Sequence, residues 1–509
     1  MKSRLILAIG PIAALAACAV GPGYRTPQAD EPAAFAAQAN PITPAMGGAP
    51  SPTPELAIWW RALNDEELNS LVDRALKSNL DLQIALDRLQ AARAYEAVVL
   101  GHALPEVDGS AAAGRGTGSD LTKGRADQAL RSADTGAGLQ HINTIAGFDA
   151  VWEIDIFGKF RREFQAVRAE TGAARAARYE VLTSVIGNVV RAYVDLRGFQ
   201  VRAGILHHAT DVLRESLRIV TIRYERGITN ELDVALATRE LATLEGQIAP
   251  VEAEVKAAQY ALAVLVGEYP ESMVEELAKP DLIPSMPPPA APGVPLDLLK
   301  RRPDIQQAER ELAAATALIG VATANLFPNV MVSASIGSQS QGWGTAPNLG
   351  KHIWSFGPGA IWPLLDFGAL DAQVELADFA AQASLANYRR TILTAVQQVD
   401  SSLDAYDAQQ YRMDKLTQAM MAGQRAVDLA SARYNRGLTD FLNVVDAERQ
   451  FYELQEQYAE AQVSQGEQFV QLYKSLGGGW QNYQAVPKIR RPQPAIVAAF
   501  RNVLTGNAP

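Results

Sequence analysis

The segment Arg223-Tyr224-Glu225-Arg226-Gly227-Ile228-Thr229-Asn230-Glu231-Leu232-Asp233-Val234 returns 210 positions later as Arg433-Tyr434-Asn435-Arg436-Gly437-Leu438-Thr439-Asp440-Phe441-Leu442-Asn443-Val444. Other matches follow in the same order: Trp152, Phe157 and Gly158 reappear as Trp362, Phe367 and Gly368, and Leu104-Pro105-x-Val107 is echoed by Phe327-Pro328-x-Val330. The chain is a tandem duplication. Its period is too long for a solenoid, whose units recur every few tens of residues. A length of 509 residues would ordinarily suggest several domains, but the duplication implies two similar halves of one architecture.

Each half is built for long helices. No proline falls between Pro105 and Pro250 or between Pro363 and Pro487, whereas residues 22–54 and 270–303 are rich in it. Apolar residues at helical spacing predict one helix over 65–101, of about ten turns, behind an Asn64-x-x-Glu67 capping pattern. Residues 105–114 and 147–156 then alternate with period two, as in Phe148, Ala150, Trp152, Ile154 and Ile156, which predicts strands. A polar, glycine-rich loop over 115–140 separates them.

Helix returns from Lys159 to about Arg226, on the order of 100 Å at 1.5 Å per residue. It turns at Gly227 and comes back over 232–266, with a kink expected at Pro250. The second half repeats the plan, with a helix over 304–325, strands near 328–337 and 352–365, and helices over 369–435 and 441–476 around a turn at Gly437. The tail beyond 477 has no strong periodicity. Helix faces rich in alanine suit close, coiled-coil-like packing.

Outside the first residues no run of 18 apolar residues occurs, so no transmembrane helix is expected. The strands are the membrane-spanning candidates, with Trp152, Trp354, Phe356 and Trp362 where interfacial aromatics would fall. Half-buried hairpins of a soluble sheet would read the same way. Four strands cannot close a barrel, and an open edge is not viable in lipid, so spanning strands would require several copies to share one barrel.

The formal charge is −10, and −12 without Lys2 and Arg4, with no basic stripe; the chain is a poor nucleic-acid binder. Lys2 and Arg4, the apolar run Leu5–Leu15 and Ala16-Ala17 read as a signal peptide over 1–17. The single cysteine, Cys18, follows directly. It reads as a lipoprotein box whose thiol takes diacylglycerol and whose amine takes a further acyl chain, enough together for stable anchoring. The plainer alternative is a chance cysteine in a discarded leader. Residues 19–54 read as an extended tether.

Leu298-Leu299-Lys300-Arg301-Arg302-Pro303-Asp304-Ile305, Ala308-Glu309-Arg310, Ile319-Gly320-Val321-Ala322 and Phe327-Pro328 together resemble the signature of the outer-membrane efflux protein family. So does Phe148–Lys159, and the likeness runs from Cys18 to about Trp480, nearest to the OprM/NodT-type lipoprotein branch and further from TolC. The resemblance implies a mainly α fold with a membrane β-barrel: duplicated helical hairpins forming a periplasmic α-barrel, and four strands per copy contributing to a trimeric twelve-stranded barrel. It implies an outer-membrane exit duct working with a periplasmic adaptor and an inner-membrane transporter of the resistance-nodulation-division type. It divides the chain into a lipidated tether and equatorial segment (18–63), a first repeat (64–267), an equatorial connector (268–303), a second repeat (304–476) and an equatorial tail (477–509).

In that family the turn after each Tyr-x-x-Gly forms the periplasmic gate and adaptor contact. Here Gly227 and Gly437 suit the left-handed conformation that ends a helix, and Thr229-Asn230 and Thr439-Asp440 suit capping of the next. Turning the chain does not require Tyr224, Arg226, Tyr434 or Arg436; with Asp233, Asp440 and Asp446 they are candidates for breakable links that hold a gate shut. Asp233 and Asp446 fall where related channels place gate acids, whereas Asn443 replaces a further acid, leaving Asp446 for a single ring. A tip motif kept only for turning, and solvated helix-face acids, are the alternatives.

No H-E-x-x-H, G-x-S-x-G or Walker loop is present, and the five histidines are scattered, with His207 and His208 on different sides of a helix. Neither an enzyme nor a metal or cofactor is expected, and Gly114-x-Gly116-x-Gly118 lacks the strand-to-helix setting of a nucleotide site. An exit duct for exported peptides driven by an ATP-binding transporter, or a non-conducting structural lipoprotein, are the rival functions.

Overall fold

The computed structural model describes residues 19–27, 34–39, 56–115, 142–287, 295–341 and 352–485. The expected signal peptide, Cys18, most of the expected tether, the loop after residue 115 and the tail beyond 485 lie outside the described residues.

The first expected helix is two: α1 (Glu66–Ser78) and α2 (Leu80–His102). The cap of α1 is Asp65, whose carboxylate accepts from the Leu68 N–H at 2.9 Å; Asn64 adopts the left-handed conformation instead. The break comes at Asn79. Its side-chain oxygen accepts from the Leu82 N–H at 3.1 Å and its amide donates to the Leu265 carbonyl at 2.8 Å, offering the backbone a local alternative to continued helix.

Beyond the strands β1 (Glu106–Arg115) and β2 (Ile142–Ile154) come α3 (Lys159–Glu225) and α4 (Glu231–Val266), an antiparallel hairpin. Pro250 lies inside α4 without interrupting it. The connector carries two short helices, α5 (Pro270–Glu276) and α6 (Pro295–Arg301), before α7 (Pro303–Ala324). Strands β3 (Asn329–Gln341) and β4 (His352–Ile361) lead into the second hairpin, α8 (Ala369–Asn435) and α9 (Phe441–Ser475). Helices α3 and α8 are each 67 residues long, about 100 Å by helical rise.

The strands form one antiparallel sheet in the order β1-β2-β3-β4. Its register pairs Gly109 with Phe148, Phe148 with Ile336, and Ile336 with Trp354, so these residues share a face with Val107 and Phe356. Large apolar side chains on that face are exposed: Val107, Phe148, Ile336, Trp354 and Phe356 are all more than half accessible. The opposite face carries Asp108, Ser110, Asp149, Ser335 and Ser355. Among the described residues no helix is long and apolar enough to cross a membrane.

The main core lies at the waist, where the non-repeated segments wrap the hairpins. Trp59 stacks on Tyr473 at 5.1 Å, and Trp480 stacks on Tyr179 at 4.5 Å while donating to the Arg301 carbonyl at 3.0 Å. Close approach of α3 to α9 depends on Gly198, where a Cβ would meet Val463 at 2.2 Å.

Candidate functional site

The two hairpin tips are built alike. At the first, the Gly227 N–H donates to the Tyr224 carbonyl and the Ile228 N–H to the Arg223 carbonyl, each at 2.8 Å. At the second, Gly437 and Leu438 donate to the Tyr434 and Arg433 carbonyls at 2.9 and 3.0 Å. This pair of bonds is a Schellman ending, and both glycines take the left-handed conformation it requires, with φ of 69° and 71°.

The returning helices start differently. Asn230 caps α4, its side chain accepting from the Asp233 N–H at 3.1 Å, and the Thr229 hydroxyl donates to the Asp233 carboxylate. Asp440 makes no side-chain cap on α9, contrary to the sequence expectation. Instead Asn443, in the position equivalent to Asp233, donates its amide to the Thr439 hydroxyl at 2.8 Å. The threonine contact is kept with donor and acceptor exchanged, and within the duplicated motif the second tip has two fewer acidic residues, Asp440 alone against Glu225, Glu231 and Asp233.

A small apolar core joins the tips: Val220 of α3 and Ala237 of α4 pack with Tyr434, Phe441, Val444 and Val445 of the second hairpin. The Arg223 guanidinium lies over the Tyr434 ring, and that ring tilts against Phe441 at 5.3 Å. The buried Tyr434 hydroxyl has no hydrogen-bond partner among the described residues. Burial pushes its pKa up, Arg223 opposes this and Asp233 reinforces it. The structure thus brings Arg223, Asp233 and Tyr434 into one electrostatic neighbourhood.

The other sequence candidates lie apart from it. Tyr224, the counterpart of Tyr434, is 43% exposed. Arg226 and Arg436 are exposed and make no ion pair among the described residues. Asp446 belongs to a ladder along α9, accepting from Arg449 at 2.8 Å and Gln450 at 2.7 Å, while Arg449 also reaches Glu453 at 2.6 Å.

Two residues escaped the sequence reading. Arg223 stands in the duplicated motif, but nothing there separates it from Arg433. Glu448 was detectable in principle: it continues the apolar stripe Phe441, Val444, Val445 at helical spacing, an acid where a hydrophobe belongs. It is buried, its Oε2 has no partner among the described residues, and desolvation pushes its pKa up to about 7. Among the described residues no cluster of three or more His, Cys, Asp or Glu side chains is arranged to hold a metal ion.

This architecture has clear relatives. A family model described as outer membrane efflux protein matches residues 71–268 and 294–478. Nodulation protein T of Rhizobium leguminosarum bv. trifolii is 30% identical over 92% of this chain and 95% of its own length. The pyoverdine export outer membrane protein OpmQ of Pseudomonas aeruginosa is 28% identical over 84% of this chain and 88% of its own. The solved outer-membrane channel OprN superposes with a TM-score of 0.80 at 34% identity, covering 91% of this chain and all of OprN. The Campylobacter jejuni CmeC channel has the same fold, with a TM-score of 0.81 at 23% identity over 91% and 95% of the two chains. With both repeats matched, the chain belongs to the outer membrane efflux protein family and is a channel component, not an enzyme.

Proposed function

We propose that the chain is the outer-membrane exit duct of a tripartite efflux pump, a homotrimer passing small molecules outward from a periplasmic adaptor and a resistance-nodulation-division transporter. The observation that carries this reading is the joining of helices about 100 Å long to a four-stranded sheet whose large exposed apolar side chains share one face. Such a sheet suits lipid on one side and an aqueous lumen on the other. Three copies would contribute twelve strands, and the hairpins would continue the tunnel into the periplasm.

Lipidation of Cys18 fits the docking of the residues that follow it. The Val20 N–H donates to the Phe157 carbonyl at 3.1 Å, and Ala19 packs on Gly158, at the junction of β2 and α3. A lipid one residue earlier would enter the bilayer at the periplasmic rim of the barrel. Segment 18–63, the connector 268–303 and the tail after 477 would form the belt around the tunnel's middle.

The tips would be the gate. Adaptor contact would stabilise splayed hairpins against the Arg223–Tyr434 clasp, a shift between two populations driven by differential binding. Exposed Tyr224, Arg226 and Arg436, and the acids Asp233, Asp440 and Asp446, would serve neighbouring copies, the adaptor or permeating cations.

Cargo differs among the efflux relatives, and a duct need not bind what it passes. The test is imaging of the detergent-purified particle, with drug and solvent susceptibility of a deletion strain. A hollow three-fold tube and raised susceptibility are expected. A compact, filled monomer would instead favour a non-conducting strut.

A further inference from the structure

Three junctions between strand and helix border a shared cavity. The turns from β2 into α3, from α7 into β3 and from β4 into α8 line it together, and Phe157, Phe327, Pro363 and Leu370 form its apolar wall. Phe157 and Phe327 stack at 4.6 Å, which locks the first two junctions to each other. The cavity has a volume of about 350 Å³. That is within the range of small-molecule sites, about 300–1,000 Å³, and far beyond the roughly 10–15 Å³ that one water needs.

The register places the polar groups of the cavity. Glu153 lies opposite Met331 and Asn329 opposite Ile361, so Glu153, Asn329 and Ile361 share the polar face of the sheet with Asp149 and Ser335. Asn329 is the diagonal neighbour of Glu153, about 7–8 Å away, a span that long side chains bridge through a common partner.

Two acceptors in this wall are not used up by the fold. The Asn329 Oδ1 atom is buried and has no hydrogen-bond partner among the described residues. The Glu153 carboxylate meets the Lys159 ammonium at 3.7 Å, an ion pair too long for a hydrogen bond. Asp155, by contrast, is spent: it accepts from the Phe160 and Arg161 N–H groups at 3.2 and 3.0 Å. The turn itself does not require the charges at Glu153 and Lys159. At the offset of 210 they correspond to Pro363 and Ala369, which serve the same passage from strand to helix. Native folds seldom keep a buried acceptor without a donor, so this wall favours an occupant that brings one.

We propose that the cavity is a binding site for a small primary ammonium compound with an apolar body. The ammonium donates to Asn329 Oδ1 and to the Glu153 carboxylate, and the body packs against Phe327 and Leu370. Charge-assisted hydrogen bonds of this kind supply orientation, and the apolar wall supplies the rest of the affinity. Lys159 competes with the ligand for Glu153, which sets a modest affinity. The site is complete within one chain, so it does not rest on the trimeric duct.

The test is calorimetric titration of the full-length, detergent-purified protein with phenethylammonium chloride, against a detergent blank. Saturable binding at one site per chain is expected. The trimethylated quaternary derivative keeps the charge without a donor, and phenethyl alcohol keeps a donor without the charge; each should bind roughly tenfold more weakly. Asn329→Leu and Glu153→Gln should each weaken phenethylammonium by a similar factor, whereas Lys159→Met, which frees Glu153, should tighten it. Helix content and light scattering show that each variant is folded and assembled as the wild type. Heat no different from the blank, equal binding of the quaternary derivative, or binding that survives both Asn329→Leu and Glu153→Gln overturns the site and leaves the cavity to solvent. Conductance in planar bilayers reads the duct separately: wild-type protein that conducts but gives only the heat of the blank sinks the site alone.

Discussion

The guanidinium of Arg223 sits 4.6 Å from the centroid of the Tyr434 ring, clasping the tip of one hairpin to the tip of the other. The contact is largely desolvated, since Tyr434 is 9% exposed, so it should contribute about 1–2 kcal/mol to keeping the tips together. Arg223→Ala and Tyr434→Ala are expected to raise single-channel conductance in planar bilayers. Tyr434→Phe keeps the ring and removes a hydroxyl that has no partner among the described residues, so its conductance should stay near wild type. Opening by Tyr434→Phe equal to that of Tyr434→Ala would show that the hydroxyl, bonded to a neighbouring copy, holds the gate.

Glu448 makes the tip region sensitive to pH. Its folded pKa is raised from 4.5 to about 7, so the folded state holds the proton more tightly than the unfolded one. The stability due to the neutral acid is complete below about pH 4.5 and is lost as pH rises through about 7. A shift of this size corresponds to on the order of 3 kcal/mol. The thermal midpoint of the wild type should therefore fall between pH 5 and 8 relative to Glu448→Gln, which stays neutral throughout. Parallel curves would mean that ionised Glu448 finds a partner in the assembly.

How much of this was legible in the sequence depended on the range of each signal. The 67-residue helices were readable because proline is absent and apolar spacing persists over many turns. The break at Asn79 was not, because apolar spacing continues from Leu76 to Leu82 while one side chain redirects the backbone locally. β2 begins at Ile142, ahead of the clear alternation, since pairing with β1 and β3 carries a stretch that has little pattern of its own. At the tips the turn chemistry was visible at Gly227 and Gly437. The difference between exposed Tyr224 and buried Tyr434 was not: both copies carry the same local motif, and only their neighbours in space distinguish them.

Arg197 offers a test of the waist. It is 1% exposed on α3 and donates to Gln200 at 2.7 Å, the Lys279 carbonyl at 2.9 Å and the Tyr193 hydroxyl at 3.0 Å, with Glu67 as its counter-ion. It thereby ties α1 and the connector to the long helix. Arg197→Ala leaves the partly exposed Glu67 carboxylate, the buried Gln200 side-chain oxygen and the Lys279 carbonyl without their donor and should cost about 1–3 kcal/mol. Faster proteolysis of the connector and a lower thermal midpoint are expected. Arg197→Met paired with Glu67→Gln should recover part of the loss, because no uncompensated charge then remains.

The N-terminal segment is held by contacts within the chain. Arg162, buried on α3, donates to the Val20 carbonyl at 3.0 Å and the Gly21 carbonyl at 2.8 Å. Gly21 has φ of +83° and rests on Gly320, where a Cβ would lie 2.5 Å from the Gly320 Cα, and Tyr24 donates to Glu309 at 2.5 Å. Cys18→Ser should therefore abolish acylation, seen as lost mass, while leaving these contacts and trypsin cleavage at exposed Arg25 unchanged. Gly21→Val brings backbone strain together with a clash that backbone atoms cannot relieve, so it should accelerate that cleavage about tenfold, the equivalent of roughly 1.4 kcal/mol in the opening equilibrium. Both proteins should remain in the outer-membrane fraction, because the strands, rather than the anchor, hold a β-barrel in the bilayer. Release of the Cys18→Ser protein into the periplasm would mean that the sheet does not insert, and the barrel reading would fall with it.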